Sequence, residues 1–246
     1  MTNATKLPTD KHLLLAIGLI SLSLVASEMI WTRIFSAELF YTFAFLTLSI
    51  ALLGLGLGAL SLRLSSKLQQ PNTAALMLVT SAIFAVVGPV VVIELNLKFS
   101  QLLFSAEMFG KFLLAIYLLG LPYFCAGVAL ATLFRRHHQQ MDQLYMSDLL
   151  GAGAGVVLAI MAMNTFGTPV AVFLIPIPTL LASALIQPGR LRLIASALCI
   201  VTVAIIPWAD SLLETERMER APVIYKHWDA MSKIKMFDYG AEARGI

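Results

Sequence analysis

Apolar residues in this chain gather in long unbroken runs separated by short polar breaks. Seven runs are legible: residues 12–30, 41–62, 74–95, 112–134, 149–164, 169–186 and 191–208. A helix needs about 20 apolar residues to cross a bilayer, so the pattern predicts a bundle of about seven transmembrane helices. The fifth run is short and the sixth carries Pro176 and Pro178; short or proline-broken spans are places to expect half-helices or a cavity. Pro122 in the fourth run predicts a kink and a backbone carbonyl that a neighbour must satisfy. Thr9 or Asp10 is placed to cap the first helix.

After Trp208 the pattern changes. Residues 210–220 read as a short charged helix. Beyond it Val223 and Tyr225, then Ile234 and Met236 interleaved with Lys233 and Lys235, follow a period of two. That predicts two short strands with a bend around residues 227–232. The expected fold class is an all-α membrane protein, a polytopic helical bundle with a short C-terminal β-hairpin. Residues 1–208 form the transmembrane helical domain, and residues 209–246 a charged linker and the start of a further unit. Two strands alone are marginal in water, so the hairpin reads as the opening of a soluble α/β domain that is missing from this chain.

Composition supports the class. Of 246 residues 59% are hydrophobic and 13% charged, with mean hydropathy +0.85; a soluble domain is nearer 25% charged. The net charge of +3 is spread over short clusters between spans, an orientation signal and not a nucleic-acid footprint, so no nucleic-acid partner is expected. Leu24 occupies a position that a signal-peptidase site would need small, so the first run reads as an uncleaved span. Cys125 and Cys199 fall inside apolar runs and read as packing residues; no metal spacing is present. One set of alternate loops holds Lys6, Lys11, Arg63, Lys67, Arg135, Arg136, Arg190 and Arg192, the other only Arg33, Lys98 and Lys111. The positive-inside rule then places the amino terminus in the cytoplasm and the tail on the other side.

Few charged residues lie close to the apolar runs. Glu28 and Arg33 flank Trp31 at the expected end of the first span. Two readings stay open: an interfacial ion pair that fixes helix depth with Trp31 as anchor, or an intramembrane polar site whose partners are each other. Asp148 stands where a polar loop with Arg135 to Gln140 enters the fifth run, with Gly151 and Gly155 behind it on one helix face. It is either a first-turn partner for the helix dipole or part of a site. Gly54, Gly56 and Gly58 have the spacing of a nucleotide loop, but no strand precedes them. Gly54 and Gly58 read as helix-packing positions, like Gly151 and Gly155. No catalytic residue, resident cofactor site or metal site emerges from these patterns.

Three stretches together, Glu28-Met-Ile-Trp-Thr-Arg33, the glycines of 52–59, and Tyr145-Met-Ser-Asp-Leu-Leu-Gly151, resemble the membrane half of bacterial spermidine-synthase-like membrane proteins. These are described as fused transporter-like and aminopropyltransferase proteins. Trp228-Asp-Ala-Met-Ser-Lys-Ile resembles the strand that opens their soluble domain. The resemblance implies, for an intact protein, a Rossmann-like domain that uses decarboxylated S-adenosylmethionine as co-substrate. A polyamine amine would attack the methylene carbon beside its sulfonium, with carboxylates holding the cation and accepting a proton. None of that machinery is legible after Trp208: no glycine-rich turn between strand and helix, and no acidic pair behind one. The catalytic domain is therefore expected to be absent from this chain, whose status as an enzyme stays open.

A tension follows. An adenosyl donor belongs in the cytoplasm, whereas the charge count sends the tail outside; either the fifth or sixth span is re-entrant, or the domain is no cytoplasmic aminopropyltransferase. For a polyamine substrate, Glu28 and Asp148 would serve as an acidic entry in the membrane. The alternatives to the membrane-module reading are a carrier for a small solute or polyamine, and a membrane scaffold for a soluble catalytic partner, with the lipid bilayer as surroundings in each case.

Overall fold

Helix α1 (Lys11–Glu38) is the centre of the bundle in this computed structural model, packed against helices on several sides. Its long buried face, from Ala16 and Ile17 through Ile20, Ile30 and Trp31 to Phe35, makes that position favourable. The structure describes residues 11–39, 41–65, 68, 70–97, 104–186, 189–214 and 222–238. The expected cap at Thr9 or Asp10, and Lys6, Lys67 and Lys98, lie outside the described residues, as does most of the expected charged helix 210–220.

The other helices are α2 (Thr42–Leu64), α3 (Pro71–Glu94), α4 (Ala106–Arg136), α5 (Met141–Phe166), α6 (Thr168–Leu174), α7 (Pro176–Ile186), α8 (Arg190–Ile205) and α9 (Ala209–Leu213). Among the described residues seven helices are long and apolar enough to cross a membrane, α6 with α7 counting as one and α8 with α9 as another. Outward faces carry Leu52, Leu57, Val157 and Ile200, all exposed in the isolated chain, as a surface solvated by lipid tails requires. The protein is a multi-pass helical membrane protein with a short antiparallel hairpin near its C-terminal end, as its hydropathy pattern predicts.

Two spans differ from expectation. The first does not end near Ile30 but continues to Glu38, which puts Glu28 and Arg33 well within the helix. Trp31 is accordingly no interfacial anchor: it is buried, edge-on to Tyr123 at 5.5 Å and tilted against Phe35 at 6.5 Å. The fifth is not short either. It runs for 26 residues from Met141, about 39 Å at 1.5 Å per residue, long enough to cross a bilayer in one pass. Its polar first turns hid its start, because they are satisfied by a neighbour: the Ser147 hydroxyl donates to the Leu14 carbonyl, and the Ser21 hydroxyl to Asp148.

The sixth span is broken, as its prolines predict. Between α6 and α7 the carbonyl of Ile175 accepts a bond from the Ser23 hydroxyl of α1 at 2.6 Å, so the interruption leaves that group satisfied. In α4 the carbonyl of Pro122 accepts from Ser81 of α3 at 2.8 Å. Gly167, at φ 84°, turns α5 into α6 in a conformation that suits a residue without Cβ.

Strands β1 (Val223–Trp228) and β2 (Lys233–Phe237) pair antiparallel with Trp228 opposite Lys233. Their bend is closed by Asp229, whose carboxylate accepts from the backbone N–H groups of Met231 and Ser232. The expected charged helix is reduced, within the described residues, to α9, which ends at Leu213.

Candidate functional site

The hairpin lies against the end of the bundle where α1 and α5 finish. Ala230 donates its N–H to Asn164 of α5 at 2.9 Å, and Lys233 bonds to Glu38 of α1. Glu214, buried just after α9, accepts from Trp228 Nε1 and pairs with Lys226 at 2.9 Å; Lys233 stands 3.7 Å from it. Asp210 adds a second carboxylate to Lys226 at 3.3 Å, and the Lys233 ammonium lies 4.5 Å above the Trp228 ring. Burial works against the Lys226 charge, but Glu214 and Asp210 overcome it and hold its pKa above the ordinary lysine value. For Lys233 burial wins over Glu38 and Glu214 and presses the pKa down.

Beneath the hairpin bend is a cavity of about 590 Å³ between α1, α2 and α5. From α1 it receives Glu28, Thr32 and Ser36, four residues apart and so on one helix face, with Arg33 beside them. Phe45 and Leu48 of α2, Ile160 and Asn164 of α5, and Met231 of the hairpin bend complete the walls. A second space of about 650 Å³ lies toward the hairpin, lined by Glu38, Lys233 and Lys235 and sharing Arg33, Ser36 and Met231 with the first. Arg33 thus stands where an outer, basic space meets an inner one that holds a carboxylate.

Glu28 and Arg33 do not form the ion pair expected of them, and neither has a hydrogen-bond partner for its side chain among the described residues. Five residues along a helix is a rotation of about 140°, too wide for the pairing that spacings of three or four allow. Arg33 Nε is buried without an acceptor. The Tyr123 hydroxyl is also buried without a partner among the described residues. Glu28 stands ten residues before the end of α1, about 15 Å along the axis.

Asp148 is elsewhere. It meets Ser21, seven residues before Glu28, about 10 Å along α1, so the structure does not bring Glu28 and Asp148 together as an acidic entry. Gly151 and Gly155 continue the Asp148 face and lie on the backbone of Gly18 and Leu22. Gly54 and Gly58 lie likewise on α4, against Gly120, Tyr123 and Phe124, and Gly127 of α4 returns the contact at Leu55.

No family model, curated protein or solved structure matches this chain.

The residues themselves define what the site is able to do. Among the described residues no cluster of His, Cys, Asp and Glu has the makings of a metal site. The cavity joins one carboxylate, one guanidinium and side chains of Thr32, Ser36 and Asn164 to apolar walls, a composition suited to holding a small polar molecule. Sequence reasoning singled out Glu28 and Arg33 but missed Asn164, Tyr123 and the whole hairpin network. The spacing of Glu28, Thr32 and Ser36 at every fourth position was the available signal for a polar strip.

Proposed function

We propose that this chain is the membrane module of a spermidine-synthase-like protein, and that its part is to hold the hairpin opening an aminopropyltransferase-like soluble unit at a fixed place on the bundle. The supporting observation is the buried ionic lock: Glu38 and Glu214 receive Lys233, Lys226 and Trp228 from both strands. The basic ends of the described helices, with Lys11, Arg63, Arg135, Arg136, Arg190 and Arg192, stand opposite the hairpin. By the positive-inside rule the amino terminus is cytoplasmic and the hairpin lies outside the inner membrane. That side is a poor one for a cytoplasmic donor such as decarboxylated S-adenosylmethionine, so donor use is the critical assay.

The test uses the protein as its native host makes it. Transfer of labelled aminopropyl groups from decarboxylated S-adenosylmethionine to putrescine is measured for that protein and for its Glu214→Gln variant. Transfer that weakens when the lock is broken supports the reading. Absence of transfer, or transfer indifferent to the lock, removes it.

A second reading, a carrier for a small polar solute, is favoured by the charges of Glu28 and Arg33, unpaired among the described residues, in the cavity between α1, α2 and α5. Uptake of labelled solute into proteoliposomes, present for one class of solute and lost in Glu28→Gln, is its test.

A further inference from the structure

The geometry points to a binding site for a small zwitterion, one molecule bearing an ammonium and a carboxylate or phosphate, in the cavity between Glu28 and Arg33. This goes beyond the membrane-module reading and does not depend on it. Two opposite charges line one space of about 590 Å³, yet their spacing on α1 keeps them from closing on each other. Lone charges at this depth carry a heavy desolvation cost, and Arg33 Nε is buried with no acceptor. A ligand anion at Arg33 and a ligand ammonium at Glu28 neutralise both at once.

The arrangement also selects against other classes. A polyamine pairs with Glu28 but carries further ammonium groups toward Arg33, and a dicarboxylate has the opposite fault. The outer space that Arg33 borders is lined by Lys233 and Lys235 against one carboxylate, Glu38, which pairs with Lys233; its net charge is positive, so from that side the anionic end is drawn in first and held at the guanidinium. Glu28 lies about 7.5 Å deeper along the helix axis and takes the ammonium, while Phe45, Leu48 and Ile160 cover the methylene groups between.

The same chemistry has two sources: a free amino-acid-like solute from the hairpin side, or the headgroup of phosphatidylethanolamine, because Phe45 and Leu48 are exposed to the surroundings of the bundle. The experiment uses the whole chain in phosphatidylglycerol nanodiscs, titrated calorimetrically with 4-aminobutanoate, spermidine and glutarate. A second set of nanodiscs contains phosphatidylethanolamine.

The expected result is 4-aminobutanoate binding at least about tenfold tighter than either control. Glu28→Gln should abolish that preference while glutarate still binds, and Arg33→Gln should abolish it while spermidine still binds. Retained binding of one control shows that each variant is folded. If only phosphatidylethanolamine raises the unfolding temperature, and both variants remove the rise, the headgroup is the source. Spermidine or glutarate binding as tightly as 4-aminobutanoate overturns the proposal. So does indifference to both zwitterions, or a zwitterion response that both variants preserve.

Discussion

At Gly151 a Cβ would stand 2.1 Å from the carbonyl oxygen of Gly18, and at Gly155 2.5 Å from that of Leu22. Both obstacles are backbone, so no side-chain rotation relieves them. Gly153, two positions from each, has nothing within 4 Å of such a Cβ. Gly151→Ala must therefore push α5 away from α1 and break the approach that lets Ser21 reach Asp148. A loss of about 1–3 kcal/mol or more is expected for overpacking of this kind. Gly153→Ala should be neutral or stabilise by up to about 1 kcal/mol, since alanine is the better helix former. Reversible unfolding in mixed micelles measures both, and equal costs would mean that the α1–α5 contact is looser than its geometry. These positions were legible from sequence because a four-residue glycine repeat in an apolar helix has few uses other than close approach. What each pair would meet was not, since Gly18 and Gly120 carry no such repeat with their partners in the chain.

The hairpin is the element whose behaviour depends most on charge. Breaking a buried pair by neutralising one member costs roughly 3–5 kcal/mol where both are fully desolvated; Lys226 is a quarter exposed, so Glu214→Gln should weaken docking by somewhat less, about 2–4 kcal/mol. Trypsin cleavage after Lys226 or Lys233 in nanodiscs reports it, and an unchanged cleavage rate would mean that Trp228 packing alone holds the strands. Asp229 gives the hairpin bend a pH dependence. The backbone N–H groups of Ser232 and Met231 hold its carboxyl below the ordinary aspartate range, so the open bend binds a proton more readily than the closed one. Its contribution is complete above the ordinary value, about pH 4, and is lost as pH falls through the lower value of the closed bend. Asp229→Asn should remove this acid limb, read from the fluorescence difference between the protein and Trp228→Phe. At the alkaline end two lysines oppose each other: Lys226, raised, loses its contribution as pH increases, whereas Lys233, lowered, gains. Period-two alternation revealed the strands, but not their docking. Glu38 and Lys233 are 195 residues apart, and nothing local to either announces the other.

For the whole molecule, the hydropathy pattern carried most of the fold, because a lipid-solvated bundle must write each crossing as an apolar run. It failed where polar residues lie within the bundle: Glu28 and Arg33 looked like the end of α1, and Asp148, which Ser21 satisfies, like the mouth of α5. Correcting both ends leaves an odd number of crossings among the described residues, with Lys11 and the hairpin at opposite ends. Orientation then decides which compartment the Arg33 mouth and the tail share. In a background with Cys125 and Cys199 replaced by alanine, Met231→Cys at the hairpin tip and His138→Cys between α4 and α5 mark the two ends, both being exposed. The positive-inside rule predicts that a membrane-impermeant maleimide added to intact spheroplasts labels Met231→Cys and spares His138→Cys until the cells are lysed. The reverse pattern would put the hairpin in the cytoplasm with an adenosyl donor. It would also mean that the eight basic residues on the amino-terminal side do not set the topology of this bundle, and that the buried Glu38–Lys233 and Glu214–Lys226 pairs hold it against them.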